Sequence, residues 1–161
     1  MPVSVFVHEK RSLSLVQYSG RVVVEDLETF SAFFRDPEIF PLINQGIAII
    51  DDEALFGDLR FADVMKQAKT LEKITQDHER NGETLPDVVP IVIATRLHRI
   101  MARVWMAATD LAPKMRPRYQ VCRTYEEALA CVGLSDIPVD DVRTKKGFHK
   151  LDPPEHMARI A

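Results

Sequence analysis

Hydrophobic and polar residues alternate along the first two segments of the chain. Residues 3–7 and 13–18 both show this alternation, and the charged residues 9–11 separate them. A period of two residues is typical of half-buried β-strands, and two short alternating runs joined by a polar turn predict an antiparallel hairpin. We therefore expect the chain to begin with two paired strands.

Three longer segments have the period of about 3.6 residues that is typical of an amphipathic helix. They are residues 25–36, 61–80 and 95–109. A fourth, shorter helix is predicted after Thr124, because Thr124 and Glu127 have the spacing of a capping box.

Apolar segments lie between the predicted helices. Residues 46–50 and 88–94 are almost entirely apolar, and residues 118–122 alternate as a last strand. A continuous apolar strand is typical of the middle of a sheet that is covered on both faces. The order β-β-α-β-α-β-α-β-α predicts an α/β fold with a mixed sheet, mostly parallel, with an antiparallel edge strand.

The regular pattern ends near Leu134. We therefore predict an α/β domain over residues 1–134 and a C-terminal extension over residues 135–161. The extension has more apolar residues than a disordered tail normally carries, so we expect it to pack on the domain or on a dimer mate. Truncation after Leu134 is expected to leave a folded domain and to weaken self-association. The apolar residues in question are Ile137, Val139, Val142, Phe148, Leu151 and Met157.

The composition agrees with one compact domain. The chain has 161 residues, of which 46% are hydrophobic and 28% charged, and its formal net charge is -3. This weakly acidic balance argues against a nucleic-acid binder, which usually has a strongly basic face. No apolar run approaches the roughly 20 residues of a membrane-spanning helix, and the first residues have no signal-peptide pattern. We expect a cytoplasmic protein without integral membrane association.

Cysteine and histidine residues offer little chemistry. Cys122 and Cys131 fit no metal or disulfide framework, and we predict that both are buried, apolar thiols. None of the histidines has the spacing of a metalloenzyme motif. The expectation is that the protein uses no metal and no other cofactor.

The predicted strands and helices carry a resemblance to a known family. Their order resembles the STAS-like fold of anti-sigma-factor antagonists, and more closely the small bacterial STAS-like proteins often described together with the lipid-binding Sec14 type. In those antagonists the loop after the middle strand carries a phosphorylatable serine. Residues 51–60 contain no Ser, Thr or Tyr, so we predict that this loop is not a phosphorylation switch. The resemblance rests on residues 15–22, 26–27, 48–52, 91–95, 100–105 and 119–129.

Acidic residues follow the central strand directly. Asp51 and Asp52, with Glu53 and Asp58 nearby, lie at the carboxyl end of a strand, which is where open α/β sheets bind ligands. Carboxylates held close together favour Mg²⁺ or a raised pKa. The alternative is a solvated loop whose acids cap the following helix, and we favour this alternative.

Three arginines and two aromatic residues are further candidates. Arg96, Arg99 and Arg103 share one side of the third helix, away from its apolar face. They form either an exposed face paired with the acids of the loop or a site for an anion or an acidic partner. Phe56 and Trp105, together with Phe61, either line an apolar cleft between helices or belong to the core.

Three functions are compatible with these features. We favour a non-catalytic STAS-like module that acts through protein contacts, as a homodimer and with a protein partner that the sequence does not identify. The first alternative is a binder of a small-molecule or lipid-like ligand that uses the apolar cleft. The second alternative is a metal-assisted hydrolase built on Asp51 and Asp52. A deep apolar pocket would favour the ligand binder.

Overall fold

A computed structural model describes residues 2–93 and 95–154 of the chain. It has six strands and six helices in these residues. The strands are β1 (Val3–His8), β2 (Ser14–Tyr18), β3 (Gly46–Ile50), β4 (Val88–Ile93), β5 (Arg118–Cys122) and β6 (Phe148–Leu151). The helices are α1 (Val24–Arg35), α2 (Phe40–Ile43), α3 (Phe61–Arg80), α4 (Arg96–Asp110), α5 (Tyr125–Cys131) and α6 (Val139–Thr144).

The six strands form one mixed sheet in the order β5-β4-β3-β2-β1-β6. Strands β2 to β5 are parallel, whereas β1 is antiparallel to β2 and to β6. The predicted α/β class and the mostly parallel sheet with antiparallel pairing at one end are therefore confirmed. Three elements were not predicted: the short helices α2 and α6, and the outermost strand β6.

Helices α1, α3 and α4 cover one face of the sheet, which we call the first face. Each helix connects two neighbouring parallel strands, and the strands follow one another in one direction across the sheet. Right-handed crossovers in one direction place all three helices on the same side. Val5 and Val16 of the sheet pack there with Phe33 of α1 and Leu71 of α3.

The opposite, second face is covered by α5, α6 and Phe148 of β6. Leu15 and Ile49 of the sheet are buried there against Leu129 of α5 and Val142 of α6. Because successive side chains of a strand point to opposite faces, Leu15 lies on the second face and its neighbour Val16 on the first.

The C-terminal extension contributes to this second face and to the sheet. Leu151 of β6 pairs with Val5, and the ring of Phe148 makes an edge contact with His8 at 4.8 Å between centroids. Ile137 is 6% exposed and Val142 is fully buried. Residues up to 154 thus pack on the domain. The domain boundary at Leu134 stays a prediction, and Met157 lies outside the described residues.

The cysteines differ from the prediction in one respect. Cys122 is buried at the end of β5, but Cys131 is exposed at the end of α5, so the prediction of a buried thiol was wrong for Cys131. Their sulfur atoms lie 3.9 Å apart. This proximity arises because α5 folds back over the second face after β5, which the spacing of the two residues alone did not indicate.

No helix in the described part of the chain combines the length and the apolar character that a membrane span requires.

Candidate ligand-binding site

An apolar cavity of about 150 Å³ lies between the first face of the sheet and helices α1, α3 and α4. It runs along the strands from Tyr18 and Phe56 at their carboxyl ends to Leu85 and Met115 at their amino ends. The main lining residues are Val16, Tyr18, Leu27, Phe30, Phe34, Phe40, Ala48, Ile50, Phe56, Leu59, Leu71, Ile91, Met101, Ala102, Trp105 and Tyr119.

Small residues leave this space open. Ala48 lies on β3 in the middle of the sheet, and Ala102 lies on the inner face of α4; both line the cavity. Helices α3 and α4 meet through Ala68 and Ala108, which are fully buried. Helices α3 and α4 therefore contact each other directly. The space between these helices and Ala48 of the sheet is not filled by a large side chain.

A buried glutamine connects α3 to α1 at the wall of the cavity. Gln67 of α3 accepts a hydrogen bond from the hydroxyl of Ser31 at 3.1 Å, and its amide nitrogen donates to the carbonyl of Leu27 at 3.2 Å. Both polar ends of the side chain are thus used within the protein. This pairing fixes α1 relative to α3.

Aromatic rings make up much of the lining. Tyr18 lies 6.3 Å from Phe30 and 6.0 Å from Phe56, measured between ring centroids. On the other side of the cavity, Trp105 and Tyr119 make an edge contact at 5.4 Å. Such tilted and edge arrangements are favourable for aromatic pairs. Phe56 and Trp105, both predicted from the sequence as candidates, therefore do lie at one site.

Two tyrosines are the only ionisable residues among the described residues that line the cavity. Burial raises the pKa of Tyr18 and of Tyr119 well above the usual value, and the nearby Tyr119 phenol raises the pKa of Tyr18 further. No hydrogen bond joins either hydroxyl to residues 2–93 and 95–154, and neither oxygen is among the fully enclosed polar atoms without a partner, so both have accessible surface. Within the described residues both phenols are therefore neutral, accessible donors without a partner.

Sequence reasoning missed these tyrosines. Each lies in a strand where it alternates with apolar residues, and this pattern is also that of ordinary sheet residues. The alternation does place Tyr18 on the same face as Val16, and Tyr119 on the same face as Val121. This was the only signal, and it did not show that a cavity lies beneath that face.

A buried histidine holds the loop that forms one end of the cavity. His98 of α4 donates from Nε2 to the carbonyl of Ala54 at 2.7 Å, and its backbone N–H donates to Thr95 at 3.2 Å. The ring also makes an edge contact with Phe56. Within the described residues, Nδ1 of His98 has no hydrogen-bond partner. His98 thus positions Phe56 at the cavity.

The acidic residues of the loop lie away from the cavity. Asp51 accepts a hydrogen bond from the amide of Gln17 at 2.6 Å, and Asp52 is exposed. Asp58 pairs with Arg21 at 2.5 Å. In the described part of the chain, no three His, Cys, Asp or Glu side chains are arranged to hold a metal ion.

Asp51 belongs instead to a polar cluster on the second face. Burial raises the pKa of Tyr125, and the negative charge of Asp51 adds to this effect. Burial also lowers the pKa of Lys145, which Asp51 partly opposes. The side chain of Arg143 lies over the Tyr125 ring, 5.5 Å from its centroid. Positive and negative side chains of this cluster thus lie together at the packed second face.

The three arginines remain at the surface. Arg96 and Arg103 are exposed and Arg99 is half-buried. Between described residues, none of the three forms an ion pair, so the predicted pairing with Asp51 or Glu53 is absent. Phe61 is 53% exposed and thus belongs neither to the core nor to the cavity.

No protein-family model, no curated protein and no solved structure matches the chain. The resemblance to STAS-like proteins therefore stays a prediction.

Proposed function

We propose that the protein is a non-catalytic module that binds a small, apolar molecule in the cavity of the first face. The observation that carries this proposal is the cavity of about 150 Å³ in a core whose other face is tightly packed. The proposal corresponds to the first alternative drawn from the sequence, a binder of a small-molecule or lipid-like ligand. A deep apolar pocket was the feature expected of such a binder.

Side chains that line a cavity of about 150 Å³ have fewer close neighbours than most core residues. Protein interiors are normally packed as densely as organic crystals. A ligand that fills the space is therefore stabilised by the contacts that it makes with the lining residues.

The size of the cavity indicates the size of the ligand. Apolar cavities of about 150 Å³ accept benzene-sized molecules. The aromatic lining of Phe30, Phe56 and Trp105 suits a flat or ring-shaped molecule, which such rings contact edge-on. We therefore expect a ligand with one or two rings or a short branched chain.

Binding can be tested with cumene (isopropylbenzene) as the probe and thermal unfolding as the readout. A ligand that binds the folded state raises the melting temperature in a concentration-dependent way. We expect cumene to do so for the natural protein. The Ala102→Leu variant, which fills part of the cavity, should lose most of this effect.

The matched control is Ala107→Leu, the same change at an exposed position of α4. It should respond to cumene as the natural protein does. If cumene leaves the melting temperature of the natural protein unchanged at saturating concentration, the proposal is wrong.

A module that acts through protein contacts is the second candidate. Leu55, Phe61, Leu97 and Ile100 are all more than half exposed, and all follow the carboxyl ends of the parallel strands. Exposed apolar residues grouped in this way are typical of interaction sites. Light scattering tests the homodimer: a monomer at working concentration would exclude it. The hydrolase alternative on Asp51 and Asp52 has no observation in its favour.

A further inference from the structure

We propose that the cavity selects an uncharged molecule with a hydrogen-bond acceptor, of which a ketone oxygen is an example, and that the hydroxyl group of Tyr18 or of Tyr119 donates a hydrogen bond to this acceptor. The inference rests on the proposed function, because it names the chemical class of the ligand that the cavity binds.

The lining of the cavity excludes a charged ligand. Among residues 2–93 and 95–154, no Lys, Arg, His, Asp or Glu side chain lines it. A charge that is buried without a partner of opposite sign carries a very large desolvation penalty. A carboxylate or an ammonium group inside this cavity would have no such partner.

Most polar groups of the lining are already paired within the protein. Gln67 is bonded at both ends. The Thr75 hydroxyl donates to the carbonyl of Leu71 at 2.9 Å, and the Asn44 amide donates to the carbonyl of Thr84 at 3.1 Å. These three side chains therefore stabilise the walls of the cavity. The hydrogen atoms that they donate within the protein are not available to a ligand.

The tyrosine hydroxyls are different because both lack a partner in the described residues. They come from β2 and β5, three strands apart in the sheet, and both rings lie on the first face. Each hydroxyl has accessible surface, so it can donate to an acceptor that a ligand supplies, and such a hydrogen bond is favourable in apolar surroundings. Burial raises the pKa of both phenols, so they stay protonated and able to donate over the ordinary pH range.

Acetophenone, cumene and benzoate form a matched set of probes. They have the same benzene ring and nearly the same shape, but they carry a ketone, an isopropyl group and a carboxylate, respectively. Affinities are measured by calorimetry for the natural protein and for the Tyr18→Phe and Tyr119→Phe variants. Comparing variants for each probe cancels the different water solubilities of the probes.

We expect at least one of the two variants to bind acetophenone about five- to tenfold more weakly, which is the usual effect of losing one hydrogen bond. The same variant should bind cumene unchanged, within about twofold on the same scale. Tyr125→Phe, which changes a tyrosine of the second face, is the control and should leave both affinities unchanged. Benzoate should not bind.

The outcomes separate this inference from the proposed function. If cumene binds and neither tyrosine variant affects acetophenone more than cumene, the inference is wrong and the proposed function stands. Benzoate binding as tight as that of acetophenone also overturns the inference. If none of the three probes binds, both fail.

A second measurement needs no variant and remains valid if a tyrosine variant does not fold. The infrared carbonyl stretch of bound acetophenone should lie at a lower frequency than in an alkane solvent, because a donor hydrogen bond weakens the C=O bond. A stretch at the alkane frequency would contradict the inference.

Discussion

The two faces of the sheet are covered in opposite ways. The first face lies under the three long helices α1, α3 and α4, yet it contains the cavity. The second face lies under two short helices and a terminal strand, yet Leu13, Leu15, Ile47 and Leu129 are at most 1% exposed there. Length of the covering element therefore does not determine how well a face is filled.

The difference follows from how each covering element is held. Helices α1, α3 and α4 are anchored at both ends by the strands they connect, and they also pack on each other. Their distance from the sheet is set by these contacts, so small residues such as Ala48 and Ala102 leave a gap. Helices α5 and α6 are short and follow the last parallel strand, so they can adjust their position until their side chains pack closely on the second face.

Truncation after Leu134 is expected to have the largest effect, because it uncovers the second face. It removes β6 together with Ile137 and Val142. Full burial of two aliphatic side chains stabilises by about 3–6 kcal/mol, which is a large part of the 5–15 kcal/mol typical of a domain. We expect the truncated chain to unfold at a much lower urea concentration than the full chain.

The control for this truncation is Val142→Ala in the full chain, which removes one buried contact and should show an intermediate loss. Equal urea midpoints for the full and truncated chains would show that the second face is closed without the extension. Light scattering on the same samples tests whether the truncation also weakens self-association.

A pair of alanine substitutions compares the packing of the two faces directly. Ala128→Leu of α5 adds three carbon atoms to the packed second face, and we expect it to lower the free energy of unfolding by about 1–3 kcal/mol. Ala102→Leu of α4 adds the same atoms next to the cavity and should change it by less than about 1 kcal/mol. Urea denaturation of both variants measures the difference, and equal losses would contradict the comparison.

Arg99→Ala should have the smallest effect, because Arg99 lies on the outer side of α4 and contributes to the packing of neither face of the sheet. We expect a change in the free energy of unfolding of no more than about 0.5 kcal/mol. A loss of several kcal/mol on chemical denaturation would show that this arginine belongs to a buried network.

The sequence by itself determined nine of the twelve described elements and their order. The strand 46–50 and the helix 61–80 were predicted with the bounds that the structure has. This is because hydrophobic periodicity is a local property: each segment must present its apolar residues to the core, whatever lies opposite. The same property placed Trp105 on the apolar face of the third predicted helix.

Only the tertiary structure decided which segments complete the sheet and how the core is filled. Strand β6 is a strand because β1 offers its unpaired edge, and four residues do not reveal such a partner. Asp51 turned to Gln17 and to the second face rather than forming a site with Asp52. The cavity, and the unpaired hydroxyls of Tyr18 and Tyr119 within it, depend on the distance between helices and sheet. That distance results from many packing contacts at once, and no local pattern of residues encodes it.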